Sequence, residues 1–168
     1  EGRGQVGFVK GEAGSGKTAL LQGFSRRAQE AQPDLIVANG NCNAYTGIGD
    51  PYLPFREILG LLTGDVEARW AAGAMTQEHA RRLWDTLPHT AQALLEAGPD
   101  LIDTFVLRGA LLERALAFDQ LAGGAGWLPH LRELVERKPA ASPSPQQGDL
   151  FNQYTRVLQS LAQRVPLL

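Results

Sequence analysis

The first fifty residues alternate short apolar runs with glycine-rich or polar segments. This pattern predicts a buried strand over residues 5–9, a helix over residues 18–29 and a second strand over residues 35–38. The helix carries apolar side chains at three- and four-residue spacing, namely Leu20, Leu21, Phe24 and Ala28. Pro33 follows this helix and ends its pattern.

After residue 52 the pattern is typical of helices only. Helices are predicted from Leu53 to a stop at Gly64, and then over residues 65–72, 76–86, 90–97, 100–121 and 127–138, separated by Pro88, Gly98-Pro99 and Gly123-Gly124. A last helix is predicted over residues 150–164, and residues 166–168 resemble the start of a third strand.

One segment carries a recognised chemical motif. Residues 11–18, GEAGSGKT, match G-x-x-x-x-G-K-[ST] at every defined position and lie between a predicted strand and a predicted helix. The candidate nucleotide-binding residues are therefore Gly11, Glu12, Ala13, Gly14, Ser15, Gly16, Lys17 and Thr18. Glycines let successive backbone N–H groups converge on a phosphate, and the positive end of the helix dipole adds to the attraction.

Two side chains of the motif have separate predicted roles. Lys17 supplies a mobile positive charge for the terminal phosphates, and the Thr18 hydroxyl is placed to ligate a magnesium ion. The motif thus predicts a nucleoside triphosphate and Mg²⁺ as cofactors, with Thr18 as the one metal ligand.

The motif and the element order together predict an α/β fold, a P-loop NTPase-type parallel sheet with flanking helices. The sheet is expected to be incomplete, with a large all-helical insertion between the second and third strands. Residues 5–52 are expected to contain the phosphate loop and the first two strands, and residues 53–138 the helical insertion. Residues 139–148, rich in Pro, Ser, Ala and Gln, are expected to form a flexible loop, and residues 149–168 the helix that leads into the third strand. Because the chain lacks an initial Met and stops inside an apolar run, we interpret it as a fragment.

Hydrolysis by such a loop needs a second acidic site, an apolar strand that ends in aspartate. Asp103 and Asp119 follow short apolar runs, but both lie in helical patterns and are predicted to be helix surface positions. Catalytic residues therefore stay unassigned, and whether the chain is an enzyme stays open. The natural place for the acidic site is after Leu168.

Composition limits the binding partners and the cellular compartment that can be expected for this chain. A net charge of -2 offers no basic excess for nucleic acid or an anionic membrane, and no apolar run approaches the roughly 20 residues that span a bilayer. A single cysteine, Cys42, excludes an internal disulfide and favours the cytoplasm. We predict no direct nucleic acid binding and no membrane contact.

Several other side chains are not predicted to belong to a functional site. Arg26 and Arg27 are predicted to be solvated, and Cys42 to be a small buried side chain at a strand end. Three aromatic or proline residues that open the second helix are predicted to belong to the core: Tyr52, Pro54 and Phe55. The histidines have no spacing typical of metal ligands: His79, His89 and His130.

Three stretches carry a family resemblance: residues 6–27 with the phosphate loop, 35–62 with GNC at 40–42 and DPYLPFRE at 50–57, and 150–168. On these residues the chain resembles the N-terminal part of AAA-type ATPase domains of the STAND class of signal-transduction ATPases, ending before the Walker B strand. The resemblance implies ATP as the nucleotide and a parallel sheet flanked by helices. It also implies attachment to sensory repeats and an output module, so that self-association or contacts with those domains are the expected protein partners.

The leading hypothesis is the ATP-binding portion of a regulatory ATPase that acts as a nucleotide-dependent signalling or transcriptional switch. One alternative is a P-loop small-molecule kinase, although no Arg-rich lid is visible. Another is a non-catalytic interaction module whose fold the nucleotide stabilises. Base specificity, the sensed ligand, the output domain and the oligomeric state are not encoded in any recognised pattern.

Overall fold

Most of the described helices pack around one central helix. The computed structural model describes residues 4–42, 50–123, 126–136 and 145–168. Its helices are α1 Lys17–Ala31, α2 Leu53–Leu62, α3 Glu67–Ala71, α4 Gln77–Ala97, a short 3-10 helix Pro99–Leu101, α5 Arg108–Ala122, α6 Leu128–Glu136 and α7 Gln147–Ala162. In these ranges, strand-type pairing is limited to two isolated parallel bridges, Ile36 with Leu167 and Ile102 with Val106.

Helix α4 is the element on which the core is built. Its first turn is stabilised by Thr76, whose hydroxyl accepts a hydrogen bond from His79 N at 3.2 Å. One face of the helix carries side chains with no solvent exposure: Leu83, Leu87, Ala91 and Leu94. Helices α2, α3, α5, α6 and α7 and the 3-10 helix all pack against α4. Each buried leucine contributes roughly 1.5–3 kcal/mol through removal of its apolar surface from water.

The prediction of two helices separated at Pro88 is wrong, because α4 continues through this proline. A proline inside a helix costs roughly 3 kcal/mol, since it removes one hydrogen bond and crowds the preceding turn. Leu83 and Leu87 before the proline and Leu94 after it lie on one continuous buried face. Burial of these side chains requires an unbroken helix and outweighs the local cost of Pro88.

The predicted α/β fold with a parallel sheet is also wrong, because the described residues form helices and contain no sheet. The predicted first strand, residues 5–9, makes no backbone hydrogen bond to any other described segment. Val6 and Phe8 are 83% and 85% exposed. A strand depends on the N–H and C=O groups of a neighbour, so an apolar pattern without such a neighbour does not form one.

The other two predicted strands meet each other in a short parallel pairing. Ile36 N donates to Pro166 O at 2.9 Å, Leu168 N donates to Ile36 O at 2.9 Å, and Ala38 N donates to Leu168 O at 3.0 Å. His79 Nε2, on α4, lies 2.8 Å from Val37 O and therefore donates to it. Residues 35–37 are buried, so this segment joins the N-terminal part of the chain to the helical core.

Two further predicted boundaries differ from the structure. The single helix over residues 100–121 is replaced by the 3-10 helix, a turn and α5. Of the predicted flexible loop over residues 139–148, residues 139–144 lie outside the described ranges, while Gln147 and Gly148 belong to α7. Helix α7 buries Leu150, Tyr154, Val157 and Leu161, the stripe that its sequence pattern indicates.

Asp103 lies in the turn before α5, where its φ angle is 71°. Its carboxylate accepts a hydrogen bond from Arg108 N at 3.2 Å and is bound by the Arg108 guanidinium. The hydrogen bond from the guanidinium holds the pKa of Asp103 below its ordinary value. Asp103 is at the surface as predicted, but the prediction of a helix at this position is wrong, because the residue lies in a turn between the 3-10 helix and α5.

We expect Asp103→Asn to lower stability at neutral pH and to make the chain less sensitive to acid. The lowered pKa of Asp103 means that its ionised form stabilises the folded state above about pH 4, and that this stabilisation is lost as the pH falls through the folded-state pKa. Asparagine tolerates positive φ, so the substitution tests the charge. Urea unfolding at pH 7 and pH 3 measures the effect. Asp85→Asn, an exposed position on α4, is the control, and equal pH dependence for Asp103→Asn and wild type would contradict the assignment.

Candidate functional site

Residues 11–16 form an exposed loop that leads directly into α1, which begins with Lys17 and Thr18. Gly14 and Gly16 have φ angles of 78° and 84°, in the left-handed region that glycine adopts without strain. Gly16 is the residue that caps the N-terminus of α1. The backbone of the loop therefore turns at these two glycines.

The first turn of α1 presents unpaired backbone donors. Leu20 N donates to Gly16 O at 2.9 Å, whereas no described backbone carbonyl accepts from the N–H groups of Lys17, Thr18 or Ala19. No acidic side chain lies in this turn. The free N–H groups and the positive end of the helix dipole therefore favour an anion at this exposed helix end.

Lys17 turns back into the loop rather than into solvent. Its Nζ donates to Gly11 O at 2.8 Å, to Glu12 O at 2.6 Å and to Ser15 Oγ at 3.5 Å. Ser15 N donates to Glu12 O at 3.2 Å and closes the turn. A Cβ atom on Gly11 would lie 2.6 Å from Ser15 Oγ, so a larger residue there would require this hydroxyl to rotate away. The ammonium group is thus held by oxygen atoms of its own loop.

The side chains present fit a magnesium ion held mainly by phosphate oxygens and water. Thr18 is exposed and directly follows Lys17 in the first turn of α1, so its hydroxyl offers one hard oxygen ligand. Among the described residues, no group of three or more His, Cys, Asp or Glu side chains could hold a metal ion. Magnesium commonly binds with one or two protein ligands and retains several waters.

The apolar face of α1 does not join the core. Leu20, Leu21 and Phe24 are exposed, and α1 packs against none of the other described helices. Arg26 and Arg27 are exposed too, as predicted. The loop and α1 therefore form a unit that is connected to the helical core through residues 35–38.

Neither aspartate that was considered as a second acidic site ends a buried strand. Asp103 is bound by Arg108 in a turn, and Asp119 lies on α5, where a helix position was predicted for it. The part of the chain that the structure describes thus contains no strand that ends in an acidic residue.

The aromatic residues at the start of α2 belong to the core, as predicted. Tyr52 and Phe105 have ring centroids 5.4 Å apart, and Phe55 lies 5.1 Å from Phe151 and 5.3 Å from Tyr154. Tyr154 is buried, and burial raises the pKa of its phenol. These rings stabilise the packing of α2 on α7.

The prediction that Cys42 is buried is wrong, because its side chain is exposed. Asn41, the preceding residue, donates from its backbone N to Glu57 Oε2 at 3.0 Å, and Arg69 Nη2 lies 3.2 Å from the same oxygen. This polar contact holds the chain at the surface as it leaves the buried segment. Such a contact between residues sixteen positions apart has no signal in the local sequence.

The three histidines lie at separate places. His79 donates to the backbone of the buried segment 35–38, His89 Nδ1 accepts from Arg164 Nη1 at 3.2 Å, and His130 lies on α6. The sequence did not predict the hydrogen bond between His79 and Val37, because the two residues are 42 positions apart.

Comparison with known protein families gives one result that spans the whole chain. The family model described as AAA ATPase domain matches residues 1–168. The chain therefore belongs to the AAA ATPase domain family, which implies nucleotide binding, usually together with Mg²⁺. No significant match was found among curated proteins or among solved structures.

Within the described ranges, no helix has both the length and the apolar character required to cross a membrane.

Gly16→Ala should lower the stability of α1, and Gly23→Ala should raise it. A Cβ atom meets nothing within 4 Å at either position, so backbone conformation decides the outcome. At Gly16 the positive φ makes alanine unfavourable by roughly 1–2 kcal/mol, whereas inside the helix alanine is favoured over glycine by about 1 kcal/mol. Hydrogen exchange at the α1 amides should become faster in the first variant and slower in the second. Unchanged exchange in Gly16→Ala would contradict the described loop geometry.

Proposed function

We propose that this chain is the ATP-binding portion of a regulatory ATPase of the STAND class, which acts as a nucleotide-dependent signalling or transcriptional switch. The observation that carries the proposal is one loop that combines the Lys17 ammonium, hydrogen-bonded to Gly11 O and Glu12 O, with the unpaired N–H groups at the start of α1. Family membership supports the nucleotide as ligand.

The loop suits a polyphosphate because it combines two kinds of positive potential. Backbone N–H groups at the start of α1 are fixed by the helix and need no rearrangement to meet an anion. Lys17 can exchange its hydrogen bonds with Gly11 O and Glu12 O for charge-assisted bonds to phosphate oxygens, which are stronger. The proposed roles are thus phosphate binding by the backbone of residues 11–18 and charge neutralisation by Lys17.

Thr18 is the residue proposed to hold magnesium. When bound, a magnesium ion would supply charge neutralisation at the phosphates. The hydroxyl of Thr18 would provide one oxygen ligand, next to Lys17 in the first turn of α1.

The connection between the loop unit and the core supports a switch. Helix α1 packs on no other described helix, and Gln29 Nε2 donates to Leu35 O at 3.5 Å near the point where the chain enters the core. A ligand bound at residues 11–18 therefore acts on a unit whose position relative to the helices depends on few contacts. Different affinities for ATP and ADP in two positions of this unit would shift the population between them.

We expect Lys17→Ala to weaken binding of a fluorescent ATP analogue by about tenfold or more, because a charged hydrogen bond contributes roughly 1.5–3 kcal/mol. The helical content should stay nearly unchanged in far-UV circular dichroism, since this side chain contributes little to folding. Lys10→Ala is the matched control, because it removes the same charge from an exposed position just before the loop.

Equal affinity of the Lys17→Ala variant and the wild type would defeat the assignment. Incubation of the chain with ATP and assay of ADP and of phosphorylated small molecules then distinguishes an ATPase from the kinase alternative. Accumulation of a phosphorylated acceptor would contradict the regulatory ATPase.

A further inference from the structure

A cavity lies between α4 and α6, away from the phosphate loop. Its volume of about 580 Å³ is within the range of small-molecule sites. It is lined by Gln92, Leu95 and Glu96 from α4 and by Gly126, Trp127 and His130 at the start of α6. None of these residues belongs to the proposed nucleotide site.

A polar network fixes one wall of this cavity. Gln92 Nε2 donates to Glu96 Oε1 at 2.8 Å, and Gln92 Oε1 accepts from Arg164 Nη1 at 3.2 Å. The same Arg164 atom donates to His89 Nδ1 at 3.2 Å. The Gln92 amide is therefore held from both sides, and it fixes the orientation of the Glu96 carboxylate.

Glu96, an exposed residue, forms no ion pair with a cation of the described part of the chain. Its hydrogen-bond partner is the neutral amide of Gln92, and no described cation lies within the 4.0 Å of an ion pair. Two other glutamates, Glu57 and Glu78, do pair with arginines. Glu96 thus gives the cavity a negative charge that a ligand can neutralise.

The remaining walls favour an organic cation over an inorganic one. Trp127 is half-buried against the core and Leu95 is apolar, so both offer surface to carbon atoms of a ligand. An ammonium group near an indole ring gains a cation–π interaction of about 0.5–1 kcal/mol at exposed sites. His130, in its neutral form, adds an acceptor for an N–H donor.

We propose that this cavity binds a compact organic cation, namely a quaternary ammonium or an arylalkylammonium. The cation contacts Trp127 and Leu95 through carbon and is attracted by the Glu96 carboxylate, whose position Gln92 fixes. The same carboxylate disfavours an anionic ligand.

Two cationic probes, choline and phenethylamine, are added separately to the full chain. NMR signals of the Trp127 indole N–H and of the His130 ring report binding. At least one cation should produce a saturable shift of both signals. Its neutral counterpart should bind at least about fivefold more weakly, because it lacks the interaction of a charge with Glu96. These counterparts are the choline isostere with carbon in place of nitrogen, and phenethyl alcohol.

Variants of Glu96 provide the second arm. Glu96→Gln keeps an oxygen acceptor for Gln92 and removes the charge, so cation affinity should fall about fivefold. Asp85→Asn removes the same charge elsewhere on α4 and should leave affinity unchanged. The proposal is overturned if neither cation gives a saturable shift, if the neutral counterparts bind equally well, or if Glu96→Gln binds as wild type does.

Discussion

The buried face of α4 is the constraint on which the rest of the structure depends. Leu83, Leu87, Ala91 and Leu94 are fully removed from solvent, and every described helix except α1 packs against this helix. A continuous apolar face of this length imposes an unbroken helix even through Pro88, because burial of several leucines outweighs roughly 3 kcal/mol of proline cost. The same helix presents His79 to the buried segment 35–38 and Glu96 to the cavity beside α6.

The candidate nucleotide site depends on this core only indirectly. Its geometry is set by glycines with positive φ, by the start of α1 and by the hydrogen bonds of Lys17 to its own loop, all within eight consecutive residues. Phosphate binding by a loop and a helix end requires this local arrangement. For this reason the AAA ATPase domain match and a helical arrangement of the described residues are compatible.

Local patterns predicted α2, α7 and the turns of the loop, but the local signals at Pro88 and over residues 100–121 did not give the observed helix bounds. The spacing of apolar residues in α2 and α7 and the glycines of the loop indicate structure that depends on neighbouring residues. The first predicted strand failed because Val6 and Phe8 have an apolar pattern but no paired neighbour in the described chain. The contacts of His79 with Val37 and of Gln92 with Arg164 join residues 42 and 72 positions apart, so periodicity cannot reveal them.

The central claim is that a polyphosphate binds where residues 11–18 enter α1, and mapping of backbone amide NMR signals during addition of magnesium ATP tests it most directly. The account predicts that the largest shifts occur at the amides of Gly14, Gly16, Lys17 and Thr18, with small shifts in α4 to α7. Shifts confined to the helical core, or no shifts at saturating nucleotide, would contradict it.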